Sequence, residues 1–136
     1  MSYVKQNFPT KTECISLQQY FESIGTPTEN RVLIWTPNKK TVNSGIIIPD
    51  NVKEDIPRKG VVIDYGPISD EYDTYRKIVL IGYIVTFGMY AGKEVEFDPN
   101  FLTGITRLEN VNTDFTDGKF HVLSLNEIIF VEYQNN

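Results

Sequence analysis

Apolar residues recur along this chain in two rhythms, and each predicts a different element. Near the start, Leu17, Tyr20, Phe21 and Ile24 stand at i, i+3, i+4 and i+7, the spacing that gathers side chains on one face of a helix. Ser16 with Gln19 three residues on makes a capping box, and Ile15 with Tyr20 a hydrophobic staple. Gly25 suits a left-handed stop. The pattern predicts a short helix over 16–24, followed by a linker through Thr26, Pro27 and Thr28.

From Arg31 onward the rhythm changes to short runs of β-branched and aromatic residues. They fall at 31–35, 60–65, 78–87 (interrupted at Gly82), 94–97, 120–125 and 128–133. Turn residues separate them and no helical patterns alternate with them, which predicts an all-β domain, a small barrel or sandwich. Two long segments, 37–59 and 98–119, break the pattern. Loops of that length in a compact domain are uncommon and tend to carry function. Residues 1–30 read as an extension with a short helix, and residues 31–136 as the β domain.

Composition narrows the chemistry. The 136 residues are 40% hydrophobic and 23% charged, as expected for one globular domain. The net charge of −5 argues against nucleic acid as the main partner, because that binding depends on neutralising phosphates. The apolar runs fall short of the ~20 residues a membrane-spanning helix needs, and the first residues lack a secretory signal's apolar core. A cytoplasmic location is the expectation. The chain has one cysteine, Cys14, and one histidine, His121. One thiol and one imidazole cannot complete a zinc site, and no metal or cofactor is expected. His121 lies in an alternating run and reads as a solvent-facing strand residue. Cys14 reads as a small buried group rather than a nucleophile.

The segment 37–59 is polar apart from Ile46, Ile47 and Ile48. Successive strand side chains point to opposite faces, so one barrel interior cannot hold all three. Either the triplet is a strand buried on both sides, or it is offered to an apolar groove on a partner.

Several motifs then fall into a recognisable order. Asn30-Arg31-Val32-Leu33-Ile34 is followed by Ser44-Gly45-Ile46-Ile47-Ile48-Pro49, by Arg58-Lys59-Gly60-Val61-Val62 and by Tyr65-Gly66-Pro67. Val85-Thr86-Phe87, Tyr90-Ala91-Gly92-Lys93-Glu94-Val95 and Leu125-Asn126-Glu127-Ile128-Ile129-Phe130-Val131 complete the series. Each motif alone is common; together, in this order and spacing, they resemble the GroES-type co-chaperonins. The departures are the 30 residues before Arg31, the segment 98–119 in place of a short turn, Tyr83 where an Asp is usual, and residues 68–77, which lack a glycine-tipped roof hairpin. Decorated versions of this kind look like those encoded by bacteriophages.

The resemblance implies a small GroES-like β-barrel with a long mobile loop, assembled as a homo-oligomer, a heptamer. It implies that Gly45, Ile46, Ile47 and Ile48 bind a GroEL-type chaperonin ring, which encloses non-native substrate proteins during ATP-dependent folding. It places the subunit interface on Arg31, Val32, Leu33 and Ile34 of one copy against Ile128, Ile129, Phe130 and Val131 of the next. It implies no enzymatic activity, and a host cytoplasm for a phage-encoded chain. Two rivals stand beside it. A catalytic barrel of the dehydrogenase type needs a glycine-rich cofactor domain that this sequence lacks. A structural or adaptor barrel that no longer binds chaperonin is the other.

Overall fold

The computed structural model describes residues 8–38 and 58–134. Among them six strands form one antiparallel sheet: β1 (Arg31–Pro37), β2 (Arg58–Tyr65), β3 (Ile84–Phe87), β4 (Lys93–Val95), β5 (Gly118–Ser124) and β6 (Ile128–Glu132). Their spatial order is β4-β5-β1-β2-β3-β6. Three helices accompany them, α1 (Lys11–Phe21), α2 (Tyr75–Ile78) and α3 (Pro99–Ile105). The protein is all-β in its core, as the short apolar runs predict.

Strand alternation divides the core in two. Val32, Ile34, Val62, Val85, Phe87 and Leu123 point to one face, where the sheet curls so that Ile128 and Val131 of β6 pack with them. Leu33, Trp35, Val61, Ile63 and Phe120 point to the other face. A sheet with one wet face would leave that second set exposed; here α1 and residues 97–115 cover it. Cys14, Leu17 and Phe21 come from α1, and Ile105, Val111 and Phe115 from the second added segment. Burial on both faces is why β1 and β2 read as unbroken apolar runs rather than alternating ones.

The helix starts earlier than its sequence periodicity predicts. Thr10, not Ser16, is the N-cap, in a box with Glu13, and the helix ends at Phe21, leaving Ile24 52% exposed. Two capping boxes compete here, and long-range contacts decide between them. The Glu13 carboxylate also accepts from the backbone N–H of Asn112 (3.0 Å) and Thr113 (2.7 Å), a reward the Ser16 box cannot match.

Helix α1 crosses the sheet from one side to the other. Its first turn lies over Gly82, whose φ of 88° and contact with the Lys11 backbone require glycine. The Gln134 side chain there donates to the carbonyls of Pro9 (2.8 Å) and Gly82 (2.7 Å). Mid-helix, Gln18 donates to Asp64 of β2 (3.1 Å). At the far end Phe21 meets Phe97, Phe101 and Phe120 at 5.0–5.3 Å between ring centroids. Tyr20 stacks on Phe101 and donates to its carbonyl at 2.8 Å. The two segments that lengthen the chain thus pack on each other as well as on the sheet.

One further expectation changes. The run 78–87 is a strand only from Ile84, because Ile78 ends α2 and Leu80 to Tyr83 form a turn. Residues 68–77 hold a 3-10 turn (Asp70–Tyr72) and α2 in place of a hairpin.

Candidate functional site: the loop anchors and the strand edges

The residues expected to bind a chaperonin, Gly45, Ile46, Ile47 and Ile48, lie outside the described residues, but both anchors of their segment are in view. Beta strands β1 and β2 are antiparallel neighbours, with Trp35 opposite Val61 near the point where the chain leaves the sheet. Asn38 is held by Asp117, backbone to backbone at 3.1 Å and side chain to side chain at 3.0 Å. On the returning strand Lys59 pairs with Glu132 of β6 at 2.8 Å. Antiparallel neighbours can be joined by a two-residue hairpin, so the topology itself does not require most of residues 38–57.

Among the described residues two buried polar atoms near these anchors have no hydrogen-bond partner, Thr36 Oγ1 and His121 Nδ1. His121 is 6% exposed and packs 6.3 Å from the Phe87 ring, so the solvent-facing expectation fails. Alternation gave its face correctly; the curled sheet covers that face. Burial, then the charges of Arg58 and Lys119, push the imidazole pKa below its ordinary value, against an opposing pull from Glu94. Cys14 is fully buried, and burial beside Glu13 raises its thiol pKa well above the ordinary range, so the thiolate is suppressed. Among the described residues no group of three or more His, Cys, Asp or Glu is placed to hold a metal ion, and no helix is long and apolar enough to cross a membrane.

The expected interface residues are distributed unequally. Arg31 is exposed, but Val32, Leu33 and Ile34 are buried at 0, 4 and 0%, and β1 is hydrogen-bonded on both sides, to β5 and β2. The backbone groups of β1 are thus already paired within the subunit. The β6 half is different. That strand pairs only with β3 among the described residues, leaving one edge open. Ile128 and Val131 turn inward to the core. Ile129 and Phe130 are 67% and 62% exposed. Consecutive residues share that exposure because the register shifts between Thr86 and Phe87, a bulge that breaks alternation at Ile129.

Sequence reasoning missed the opposite edge. Among the described residues β4 pairs only with β5, and beside it lies a groove of about 210 Å³ reached by Phe21, Ile24, Pro27, Val95 and Phe97. The signals were present, as the helical face ending at Ile24 and the alternation through Val95 and Phe97, but nothing in the sequence brings them together.

Asn30 and the turn at Gly92 show how local chemistry positions these edges. Asn30 adopts φ 60°, tolerable for its short polar side chain, and exchanges hydrogen bonds with Ser69 (2.8 and 3.0 Å) while accepting from Leu125 N–H (3.0 Å). It thereby ties the start of β1 to the segments after β2 and before β6. Gly92, at φ 72°, donates its N–H to Glu127 (3.1 Å), and a Cβ there would collide with Leu123. Glu127 also caps Ser124, so one carboxylate draws the approach to β4 toward the start of β6.

A small curled antiparallel sheet whose two end strands each have one unpaired edge among the described residues, with a long connection between two central strands, defines a GroES-like β domain. The family model described as chaperonin 10 Kd subunit matches residues 25–107, which is more than half of the chain. The chain belongs to that family. It is 41% identical over 75 residues to the co-chaperonin GroES of Ruthia magnifica subsp. Calyptogena magnifica, covering 53% of this chain and 78% of that one. It is 39% identical to co-chaperonin GroES of Cutibacterium acnes (53% and 76% covered) and 33% identical to co-chaperonin GroES 1 of Rhodopirellula baltica (53% and 73% covered), each over 75 residues. The family match begins after α1 and stops before β5 and β6.

Proposed function

We propose that this chain is a working co-chaperonin: a ring, a heptamer, that caps a GroEL-type chaperonin through Gly45, Ile46, Ile47 and Ile48. Non-native protein is held in the capped cavity while ATP drives the chaperonin cycle; the cap itself catalyses no reaction and needs no cofactor or metal. Its place is the cytoplasm, that of the host for a phage-encoded chain. The observation that carries this reading is the family membership, joined to a connection between β1 and β2 much longer than neighbouring strands need and bearing three isoleucines in polar surroundings.

The magnitudes suit a ring. Burying one Ile stabilises by about 1.5–3 kcal/mol, and ordering each loop residue costs about 1–2 kcal/mol. One loop therefore binds weakly. Several loops on one ring raise the effective concentration and bind together, yet release when the partner's groove changes shape.

The test is native mass spectrometry and substrate refolding with a GroEL-type chaperonin and ATP. Ile47→Asp puts a charge into an apolar groove at a cost of several kcal/mol per subunit. The altered chain should melt like the parent and fail to form the capped complex. A variant that caps as well as the parent, or a parent that assembles but never caps, refutes the proposal; the second result would favour an adaptor role.

A further inference from the structure

The two segments that lengthen this chain meet at the base of the long connection between β1 and β2. Glu13 of α1 accepts from the backbone N–H of Asn112 (3.0 Å) and Thr113 (2.7 Å), which ties the second segment to the helix. The chain then folds back tightly. Asp114 accepts from the Thr116 N–H (3.0 Å) through its carboxylate and from the Asp117 N–H (3.1 Å) through its carbonyl. Between them Phe115 is buried, meets Trp35 edge-on at 4.9 Å between ring centroids, and accepts the indole N–H at 2.9 Å. Gly118 passes so close to the Trp35 ring that a Cβ there would stand 2.4 Å from two of its atoms. That approach brings Asp117 down to Asn38. Its carbonyl accepts the Asn38 backbone N–H (3.1 Å), and its carboxylate accepts a side-chain N–H of Asn38 (3.0 Å).

The sheet itself does not need this pair. β1 and β5 are already in register out to Pro37 and Gly118, and Asn38 and Asp117 are both exposed. Hydrogen bonds that water can replace add little to stability. What the pair fixes is the point and direction in which the chain leaves the sheet toward Gly45. The returning end needs no such aid, because Arg58 enters the sheet directly opposite Phe87. Both α1 and residues 112–117 lie outside residues 25–107, the span of the family match.

We propose that Asn38 and Asp117 are positioning residues for capping, held by a brace that runs from Glu13 through residues 112–117. The brace keeps the exit of the connection ordered before a chaperonin is met. This rests on the reading of Gly45 to Ile48 as the capping segment. Ordering one further residue on capture lowers a loop's affinity by a factor of about 5–30, and a residue ordered in advance is spared that loss. Water competes for the exposed pair, so the low end applies to each loop, and loops acting together multiply it.

Titration with a GroEL-type chaperonin and ATP, followed by native mass spectrometry, tests the proposal. Asp117→Ala and Asn38→Ala should each keep the parent's urea midpoint and oligomeric state. Each should speed hydrogen exchange at the residue-38 amide and raise the concentration for half-capping at least about fivefold. Asp117→Asn keeps an acceptor oxygen and should recover most of the parent's capping. The double variant should be no worse than either single one, since both remove the same bond. Glu13→Gln, read in the folded chain at neutral pH, should also speed exchange at the Asn38 amide; no change there overturns the brace. A pair that only supports β1 and β5 would lower the urea midpoint and leave capping by the folded oligomer unchanged. That result overturns the proposal, as would tighter capping or additive losses in the double variant. A parent that caps, with Asp117→Ala capping equally well, defeats this inference alone; a parent that never caps defeats the capping proposal and this one with it.

Discussion

Removing the Glu13 carboxylate should unfasten the layer that covers the outer face of the sheet. Glu13 is 7% exposed and serves three backbone N–H donors: Thr10 at the N-cap (3.1 Å), Asn112 (3.0 Å) and Thr113 (2.7 Å). A hydrogen bond to a charged group is worth about 1.5–3 kcal/mol. Asn112 and Thr10 lie at the surface, where water takes over most of the lost bonding, so only the Thr113 bond counts in full and the other two contribute about 0.5 kcal/mol each. Glu13→Ala should therefore cost about 2–4 kcal/mol in total. Glu13→Gln keeps an acceptor oxygen but loses the charge, and should cost about 1–2 kcal/mol.

The pH dependence separates this clamp from simple loss of packing. Burial pushes the Glu13 pKa up, but the hydrogen bonds from Thr10, Thr113 and Asn112 outweigh it and hold the carboxyl below its ordinary value near 4.5. A depressed carboxyl pKa stabilises the folded state above the unfolded value. That contribution is lost as pH falls through the folded value. Parent and Glu13→Gln should differ at neutral pH and converge only once the pH has fallen below the depressed folded value. Urea unfolding at fixed protomer concentration reads the effect; with a slope of about 1–3 kcal/mol per molar, Glu13→Ala should lower the midpoint by roughly 1–2 M. Amide exchange at residues 99–116 should rise as well. An unchanged midpoint, or a Glu13→Gln gap that persists at low pH, would refute the clamp.

Two further outcomes follow from buried polar groups. The depressed pKa of His121 means that the unfolded chain takes up the proton first, so stability should begin to fall below about pH 6.5 and keep falling down to the folded pKa; His121→Gln should flatten that limb of a melting-temperature profile. Trp35, the single tryptophan, donates its indole N–H to the buried Phe115 carbonyl at 2.9 Å, so Trp35→Phe should cost about 1–3 kcal/mol in chemical denaturation by stranding that acceptor.

The strands were legible because β-branched runs bounded by Gly, Pro and Asn encode both their presence and their two faces. What lies over each face was not. His121 shows the difference: alternation assigns it a side of β5, and only the curl of β6 and β3 toward that side buries it. Residues 98–119 read as a loop because Phe101, Ile105, Val111 and Phe115 fit no single period. Their order comes from contacts with α1 and Trp35. The helix start was misplaced for the same reason, since the acceptors that favour the Thr10 box lie about a hundred residues away. The apolar runs of β1 and β6 were legible, but only the strand order shows that β1 is interior and that β6 ends the sheet among the described residues. The isoleucine triplet was legible as an anomaly, and its chemistry remains the reason to test it first.

Assembly and capping should be separable by mutation, and the strand order says why. The returning end of the loop reaches the open edge by two routes, the β2–β3–β6 ladder and the Lys59–Glu132 pair. The ladder is rigid backbone whose hydrogen bonds an exposed side-chain change at Phe130 leaves intact. The ion pair has side chains 46% and 37% exposed, and pairs so solvated contribute about 0–1 kcal/mol. Neither route carries much energy from edge to loop in a single subunit. Coupling arises when a neighbour covers β6, because shielding Glu132 from water strengthens its hold on Lys59. The loop base would then be held more firmly in an assembled ring than in the free subunit, and Glu132→Gln should weaken capping modestly while leaving the oligomer's native mass unchanged but for the substitution.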